Sequence, residues 1–491
     1  MVVIFARARF LLTMNEKNGK LERISDGFIL TKDSKIVRVG KYSEIIGKEI
    51  LSFYNEEKIN VIGNVTNSNT SLSDLKQLNG VILPSFVKCH GHDHESCLIG
   101  VARDQPLTAW LDNSVNIFTG FLHEHEEELK KEFEGASPYY IAYLKARLDD
   151  ISFGITTAVT HHCNFNKYHV KELIDANEKM GTRIFIAVGS QDRHYDPRIL
   201  DSPEEAISRL NKYESLETER SIVIPGPDQF FSNGPELLKV LKKWARERKK
   251  LIHIHSSEEP ATTKWFTETY GMSPVEYGNS IDFLDDKTLL AHQVNTTEND
   301  LKILAETKSM VVHNPLANTI LGSGMPPILE MIKNNIPVAI STDGSGSADS
   351  QNMLNAARTA SQYQKALNKN AKVLDSEEVL KRITRIPAEM LGLDCGVLES
   401  GKEADFLIID LSKPNLTPTR LESVVENLIW ASAGNEIRTV VANGEILIEN
   451  YEFLKVDKNK VLQNIQKLAD LFEEFKTKNV PQKVTGAHGA Q

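Results

Sequence analysis

The stretch KCHGHDHESC, Lys88 to Cys97, sets His90, His92, His94, Asp93 and Glu95 close together directly after an apolar run. Four further residues of the same chemical kinds follow: His255 in LIHIHSSEE, His292 in LLAHQV, His313 in VVHNP and Asp343 in ISTDGSGS. Side chains two apart on a strand share a face, so His90 and His92 can both turn toward one ion. Neutral imidazole suits zinc or iron, and a carboxylate such as Asp343 completes a site that keeps room for water. Water held there loses a proton near neutral pH and becomes a nucleophile. A nearby carboxylic acid and a second histidine could then carry the proton transfers.

Singly, these signals are weak. An HxH pair can simply end a strand, HNP can be a turn shaped by Pro315, and TDGSGS can cap a helix. Their weight comes from position. Candidate strands are VILPSFVKC, GITTAVT, TRIFIAVG, RSIVIPG, KKLIHIH, KTLLAH, SMVVHN and PVAIST. Between them lie segments with helix-spaced apolar residues, such as NGPELLKVLKKWARERKK and TENDLKILAETK. Eight such units predict an α/β chain with a parallel (β/α)₈ TIM-like barrel, although a doubly wound sheet shares the alternation. In a barrel the C-terminal strand ends converge on one face. His90 and His92 fall at the first such end, His255 at the fifth, His292 at the sixth, His313 at the seventh and Asp343 at the eighth.

The chain ends have a different rhythm. VVIFARARFLL, DGFILTKDSKIVRVG and EKINVIG near the start, and GKEADFLIIDL and RTVVANGEILIENYEF near the finish, are short β-like runs. They predict a composite β-sandwich from residues 1–78 and 402–455 around a barrel at 79–401. GNVTNSNTSLSDLKQLNG reads as an exposed loop. In 456–491, NKVLQNIQKLADLFEEFKTK reads as an amphipathic helix and VTGAHGAQ as a flexible tail.

The 491 residues suit a large enzyme domain with a satellite. A net charge of −10 argues against nucleic acid or an anionic membrane as the main partner. Arg7 and Arg9 interrupt the apolar start, so a strand pair is expected there rather than a signal peptide, and no apolar run approaches a membrane span. Cys89, Cys97, Cys163 and Cys395 show no CxxC spacing, which predicts no disulfide framework and a reducing, cytoplasmic setting.

PSFVKCHGH, HIHSSEE, LLAHQV, VVHNPLANTILGSGMPP and STDG, in that order, resemble the amidohydrolase superfamily, more narrowly its aminohydrolase/chlorohydrolase branch. PLTAWL and SGKEADFLIIDLSKPNLTP extend the resemblance over nearly the whole chain. It implies one divalent metal per subunit on His90, His92, His255 and Asp343, zinc first with iron as the alternative. It implies Glu258 as the acid that protonates a ring nitrogen, His292 as the group that orients the metal-bound hydroxide and takes its proton, and Asp343 as their assistant. The product is ammonia from an amino-substituted heterocycle, of purine or pyrimidine type, with triazine or pterin behind. Glu258 favours deamination over dehalogenation. Hydrolysis of a cyclic amide or another leaving group by the same site is the alternative, and a non-catalytic scaffold the remote one. Strand four, VIPGPDQFF, has no lysine to bridge two ions, which favours a single metal. The family also implies a homodimer or higher homo-oligomer.

The departures from the family pattern fall where substrate would bind. Lys88 and Glu95 replace commoner residues, with Lys88 needing an acidic partner near a metal. Trp110, Asp228, Gln229, Arg193, His194 and His313 complete the candidate substrate contacts, and His161 and His162 in THHCNF are further polar residues at a strand end. The apolar segment after Asp104 is expected to form a lid or a subunit contact.

Overall fold

The computed structural model describes residues 2–53, 59–63 and 71–479; the expected tail and residues 64–70 of the expected loop lie outside these residues, and the end of that loop, Leu78 to Gly80, instead begins a strand. Strands Val3–Lys17 and Lys20–Lys32 pair antiparallel through Asn18 and Gly19, both at positive φ (54° and 73°), the backbone that a tight hairpin demands. Val3–Lys17 also lies parallel to Leu78–Pro84, whose other edge takes Phe406–Asp410 antiparallel. Ile437–Ala442, Glu445–Glu449 and Glu452–Phe453 extend the sheet on that side, while Lys35–Lys41 and Ile59–Val61 complete nine strands. The two chain ends therefore share one sheet.

The run VILPSFVKC, expected to be one strand, is two. Leu78–Pro84 belongs to the end sheet and Phe86–Lys88 to the next one. Pro84 has no N–H to continue a ladder. Beyond it, Ser85 N donates to Asp405 O (3.2 Å) and Phe86 N to Gly154 O (2.9 Å), so the chain changes sheets within one residue.

Eight parallel strands follow: β1 Phe86–Lys88, β2 Ile155–His162, β3 Arg183–Ser190, β4 Ser221–Pro227, β5 Ile252–Ser256, β6 Thr288–His292, β7 Met310–His313 and β8 Val338–Ile340. They form two four-stranded sheets, β1 to β4 and β5 to β8, each in sequence order. Every residue of β2, β3, β5 and β6 is buried, as expected of parallel strands covered on both faces. A bridge from Gln229 to His255 and a bond from His255 N to Asp228 O (3.0 Å) link β4 to β5. At the opposite seam Cys89 N donates to Ser341 Oγ (2.8 Å). There Val87 N and Ile340 N donate to the adjacent carbonyls of Ile383 (3.0 Å) and Arg382 (2.9 Å).

Helix Pro235–Glu247 shows why the connectors fold as they do. Pro235 starts it without wasting a donor, and Leu237, Leu238, Leu241, Trp244 and Ala245 bury one stripe. Glu298–Thr307 begins with a capping box in which Thr297 and Asp300 satisfy each other's backbone N–H. The final helix, Lys458–Asn479, buries Val461, Ile465, Leu468 and Phe472 at helical spacing. Phe472 meets Phe118 and Phe121 of the segment after Asp104. That segment forms Leu107–Asn113, Val115–Glu124 and Glu126–Glu132. The four cysteines are buried and free, and no helix among the described residues is long and apolar enough to cross a membrane.

Candidate active site

The C-terminal ends of β1, β5, β6 and β8 bring His90, His92, His255, His292 and Asp343 together. His90 Nε2 lies 3.2 Å from Asp343 Oδ1 and His92 Nε2 lies 3.6 Å from it. His255 Nε2 faces His92 Nε2 at 3.2 Å. His292 Nε2 stands 3.7 Å from Asp343 Oδ2. Gly91 permits this crowding: a Cβ there would come within 3.1 Å of Asp343 O and of Lys88 Nζ. His292 and Asp343 hold left-handed backbone (φ 75° and 78°), which costs on the order of 1–3 kcal/mol each and is retained where it aims a side chain.

The far nitrogens define the near ones. His92 Nδ1 faces His161 O at 3.0 Å and His255 Nδ1 faces Asp228 O at 2.8 Å. A carbonyl only accepts, so each Nδ1 carries the hydrogen and each Nε2 presents a lone pair. His90 Nδ1 meets His253 Nε2 at 3.0 Å, and its own Nε2 is buried without a hydrogen bond. Burial lowers the His255 pKa and drives that of His90 well below the usual histidine range, keeping the rings neutral. Burial alone would raise the Asp343 carboxyl, yet His90, His292 and His92 around it hold it well below the usual range. Lone pairs and a carboxylate facing one another repel unless a cation sits among them. The donor set of three imidazoles and one carboxylate therefore fits a divalent ion.

Glu258 follows β5 by two residues, is 6% exposed, and puts Oε2 3.5 Å from His292 Nε2. Burial, then Asp343, Glu259, Asp228 and Glu95, push its pKa well above the ordinary glutamate value, which favours its acid form. His292 Nδ1 lies 3.1 Å from Asn318 Oδ1, an acceptor, which leaves Nε2 as the basic atom. Burial lowers its pKa to about 4.

Two adjacent chambers lie above these groups. The inner one, about 50 Å³, is lined by His92, His255, Glu258, His292 and Asp343, together with Glu95, Trp110, Asp228 and Gln229. The outer one, about 760 Å³, includes His194, Phe231 and Trp265 in its wall. Leu107, Leu111, Asn116, Asn164, Tyr195 and Gln229 line both. Helix Leu107–Asn113 thus contributes to the walls of both chambers.

Three expected contacts lie elsewhere. Lys88 Nζ is buried against Asp150 Oδ1 (2.6 Å) and Gln351 Oε1 (2.9 Å), because a cation inside needs a counter-charge. Asp150 in turn meets Arg147 (2.8 Å), which grips Asp93 through two bonds of 2.8 and 2.7 Å. Arg193 turns to Asp192 at 2.7 Å, following its nearest carboxylate. His313 is fully buried and lines neither chamber, its pKa lowered by burial to about 3. Glu95 does reach the inner chamber. It accepts from Ser347 N (2.9 Å) and lies so close against Gly344 that a Cβ there would collide with its Oε2.

Residue type at strand ends does not point to every participant. His253, two residues before His255 on β5, is legible from the HIH repeat. Tyr195 Oη donates to Asp228 Oδ2 between the chambers, and the only signal for it in the chain is its place next to His194. Asn318 falls within VVHNPLANTILGSGMPP and Asn164 within THHCNF, but their residue type alone does not mark either of them. Both ring nitrogens of His94, and both of His161, are buried without hydrogen bonds.

The site, at the ends of successive parallel strands, is of the kind that metal-dependent hydrolases build. Residues 81–447 match the model of the amidohydrolase family, and the chain belongs to that family of enzymes. It is 30% identical over 427 residues to a 5-methylthioadenosine/S-adenosylhomocysteine deaminase of Thermococcus sibiricus, covering 87% of this chain and 93% of the relative. It is 29% identical over 453 residues to a 5'-deoxyadenosine deaminase of Methanobrevibacter smithii, covering 92% and 99%. Among solved structures, a mutant atrazine chlorohydrolase of Arthrobacter aurescens complexed with zinc and atraton superposes with a TM-score of 0.82 at 21% identity, over 95% of this chain and all of that one.

Proposed function

We propose that this protein is a hydrolytic deaminase that releases ammonia from an amino-substituted nitrogen heterocycle, with purine-like bases as the first substrate class. The observation that carries the reading is the pairing of a buried Glu258, its pKa raised by that burial, with Nε2 of His292 at 3.5 Å beside the Asp343 carboxylate. The names of the relatives, deaminases of adenosine derivatives, support it.

His90, His92, His255 and Asp343 would hold one divalent metal, zinc ahead of iron. When bound, the ion supplies Lewis acidity that makes water nucleophilic at neutral pH. Glu258 gives its proton to the ring nitrogen beside the attacked carbon, so that no anion develops there. His292 takes the proton of the attacking water on Nε2, and Asn318 holds its other nitrogen protonated. Asp343, an acceptor beside His292, steadies the resulting imidazolium. His292 would return its proton to the amino group, the C–N bond breaks to release ammonia, and the hydroxyl proton passes to the Glu258 carboxylate as the carbonyl forms, which restores the acid. Trp110, Gln229 and Asp228 give the inner chamber its shape around the ring.

In the same reading the two four-stranded sheets close into one (β/α)₈ barrel over residues 79–401, and the end sheet folds over as a β-sandwich of 1–78 and 402–455. The last helix, in the 456–491 segment, seals the barrel through Phe472. A homo-oligomer in the cytoplasm fits a chain with four free, buried cysteines.

The test is metal analysis of the purified protein beside His90→Ala, with ammonia release followed over a panel of amino-heterocycles. About one ion per chain, lost with His90, together with ammonia from one panel member supports the proposal. Metal without ammonia moves the reading to hydrolysis of a cyclic amide. No metal in either protein overturns both.

A further inference from the structure

The end of β2 brings a second set of ligand-type side chains beside the first. A ring nitrogen of His161, Cys163 Sγ and a carboxylate oxygen of Asp228 lie within 4.8 Å of one another. None of the three belongs to the set of His90, His92, His255 and Asp343. His161 is the penultimate residue of β2, and Cys163 just beyond it keeps extended backbone (φ −93°, ψ −176°), so both side chains emerge on one side. Asp228 follows directly after β4.

These groups have few other partners. His161 is fully buried with both ring nitrogens free of hydrogen bonds, and the same holds for His94. An imidazole buried in that state has given up its bonds to water for nothing in return. Asp228 accepts from Tyr195 Oη on Oδ2 and turns Oδ1 toward His161 Nδ1 at 3.9 Å. That is too long for a hydrogen bond. It is close to the separation of about 3.4 Å between two ligand atoms on one tetrahedral zinc ion. His94 and Cys163 also offer ligand atoms within 4.8 Å of each other and of His92. His92 already turns Nδ1 to His161 O and Nε2 to Asp343, which leaves His94 to complete the set.

We propose that His161, Cys163 and Asp228, with His94 as the fourth ligand, form a second site for a thiophilic divalent ion such as zinc, and that an ion held there keeps the heterocycle out of the inner chamber. A sulfur ligand selects such ions over magnesium or calcium. As the sulfur–metal bond forms, the S–H bond of Cys163 breaks and its proton leaves to solvent, with no change of oxidation state. This site fills after the first, because His161 and Asp228 must draw closer and a buried thiol must give up its proton. His94, Cys163 and Asp228 all line the inner chamber, whose volume of about 50 Å³ does not admit an ion and a ring together. The exclusion of substrate rests on the deaminase reading; the site itself does not.

Cobalt(II) added to metal-stripped protein tests the site, because a thiolate ligand gives a near-ultraviolet sulfur-to-cobalt charge-transfer band that nitrogen and oxygen ligands do not. The wild type should bind about two equivalents, with the band growing during the second. His90→Ala should lose the first equivalent and keep the band, whereas Cys163→Ser should keep the first equivalent and lose the band. In a second variant, His161→Phe, the band should need about tenfold more cobalt or higher. Zinc added to the one-ion enzyme should inhibit ammonia release competitively. At about ten times its dissociation constant for the second site, it should raise the apparent KM by about elevenfold with kcat unchanged, and Cys163→Ser should escape this rise. One equivalent and no band in the wild type, or a band that persists in Cys163→Ser, overturns the site. A second ion that leaves KM unmoved overturns the exclusion. Ammonia from no amino-heterocycle, with the first ion bound, removes the deaminase reading instead, and the cobalt spectra still decide the site.

Discussion

His292 Nε2 stands 3.5 Å from Glu258 Oε2, a base beside a buried carboxyl, neither of them on the same strand as the other. In the proposed mechanism the pair divides the proton traffic of hydrolysis, since burial treats the two groups in opposite ways, raising the carboxyl and lowering the imidazole.

Glu258→Gln keeps the shape of the side chain and removes its proton-donating acid. The expected outcome is a fall in kcat by about 10² to 10⁴ with metal content unchanged, read by ammonia release and elemental analysis on the same preparation. Loss of metal along with activity would move Glu258 from acid to ligand.

His253 Nε2 faces His90 Nδ1 at 3.0 Å while His90 Nε2 faces Asp343; with Nε2 ligating an ion, Nδ1 would carry the hydrogen and His253 would accept it. His253→Phe preserves the ring and deletes the acceptor. Its metal affinity should weaken by about 10- to 100-fold in a competition titration against a chelator. Unchanged affinity would make His253 a packing residue only.

The buried chain Lys88–Asp150–Arg147–Asp93 predicts an order of stabilities. Arg147→Met strips partners from two carboxylates and should cost about 3–5 kcal/mol. Lys88→Met leaves Asp150 still paired to Arg147 and should cost less. Denaturant melts of both variants check the ranking, and Lys88→Met as the weaker of the two would refute it.

In the metal-free protein, Glu95 has its pKa raised to about 8, first by burial and then by Asp343. The folded chain then binds a proton that the unfolded chain has released, between the ordinary glutamate range and about pH 8. Stability therefore falls as pH rises through that window. Glu95→Gln should flatten the slope in chemical denaturation at a series of pH values. A slope unchanged in the variant would assign it to another group.

The parts legible in the sequence are those with a local signature. Alternating strands and helices, together with ligand-type residues at strand ends, suffice to locate His90, His92, His255, His292 and Asp343, and a fixed step from His255 locates Glu258. What stays hidden depends on side-chain direction. Lys88 shares the parity of His90 and His92, yet its ammonium bends to Asp150, a helix residue far along the chain whose proximity no spacing rule shows. Arg193 is prominent by charge, whereas its near neighbour Tyr195 is the one whose hydroxyl reaches Asp228. The split of VILPSFVKC at Pro84 is available in principle, since proline cannot continue a ladder, but the apolar run on both sides masks it.

The pairing of Ile82 with Ile408 has a consequence for synthesis on the ribosome. One edge of Leu78–Pro84 is satisfied early by Val3–Lys17, but the other waits for Phe406–Asp410. At about 5–20 residues per second the intervening chain takes roughly 15–65 s to emerge. Throughout that time an apolar strand edge, only a few residues ahead of His90 and His92, stays open to passing chains. The segment just ahead of His90 and His92 is thus made early, and the strand that completes its sheet is made late.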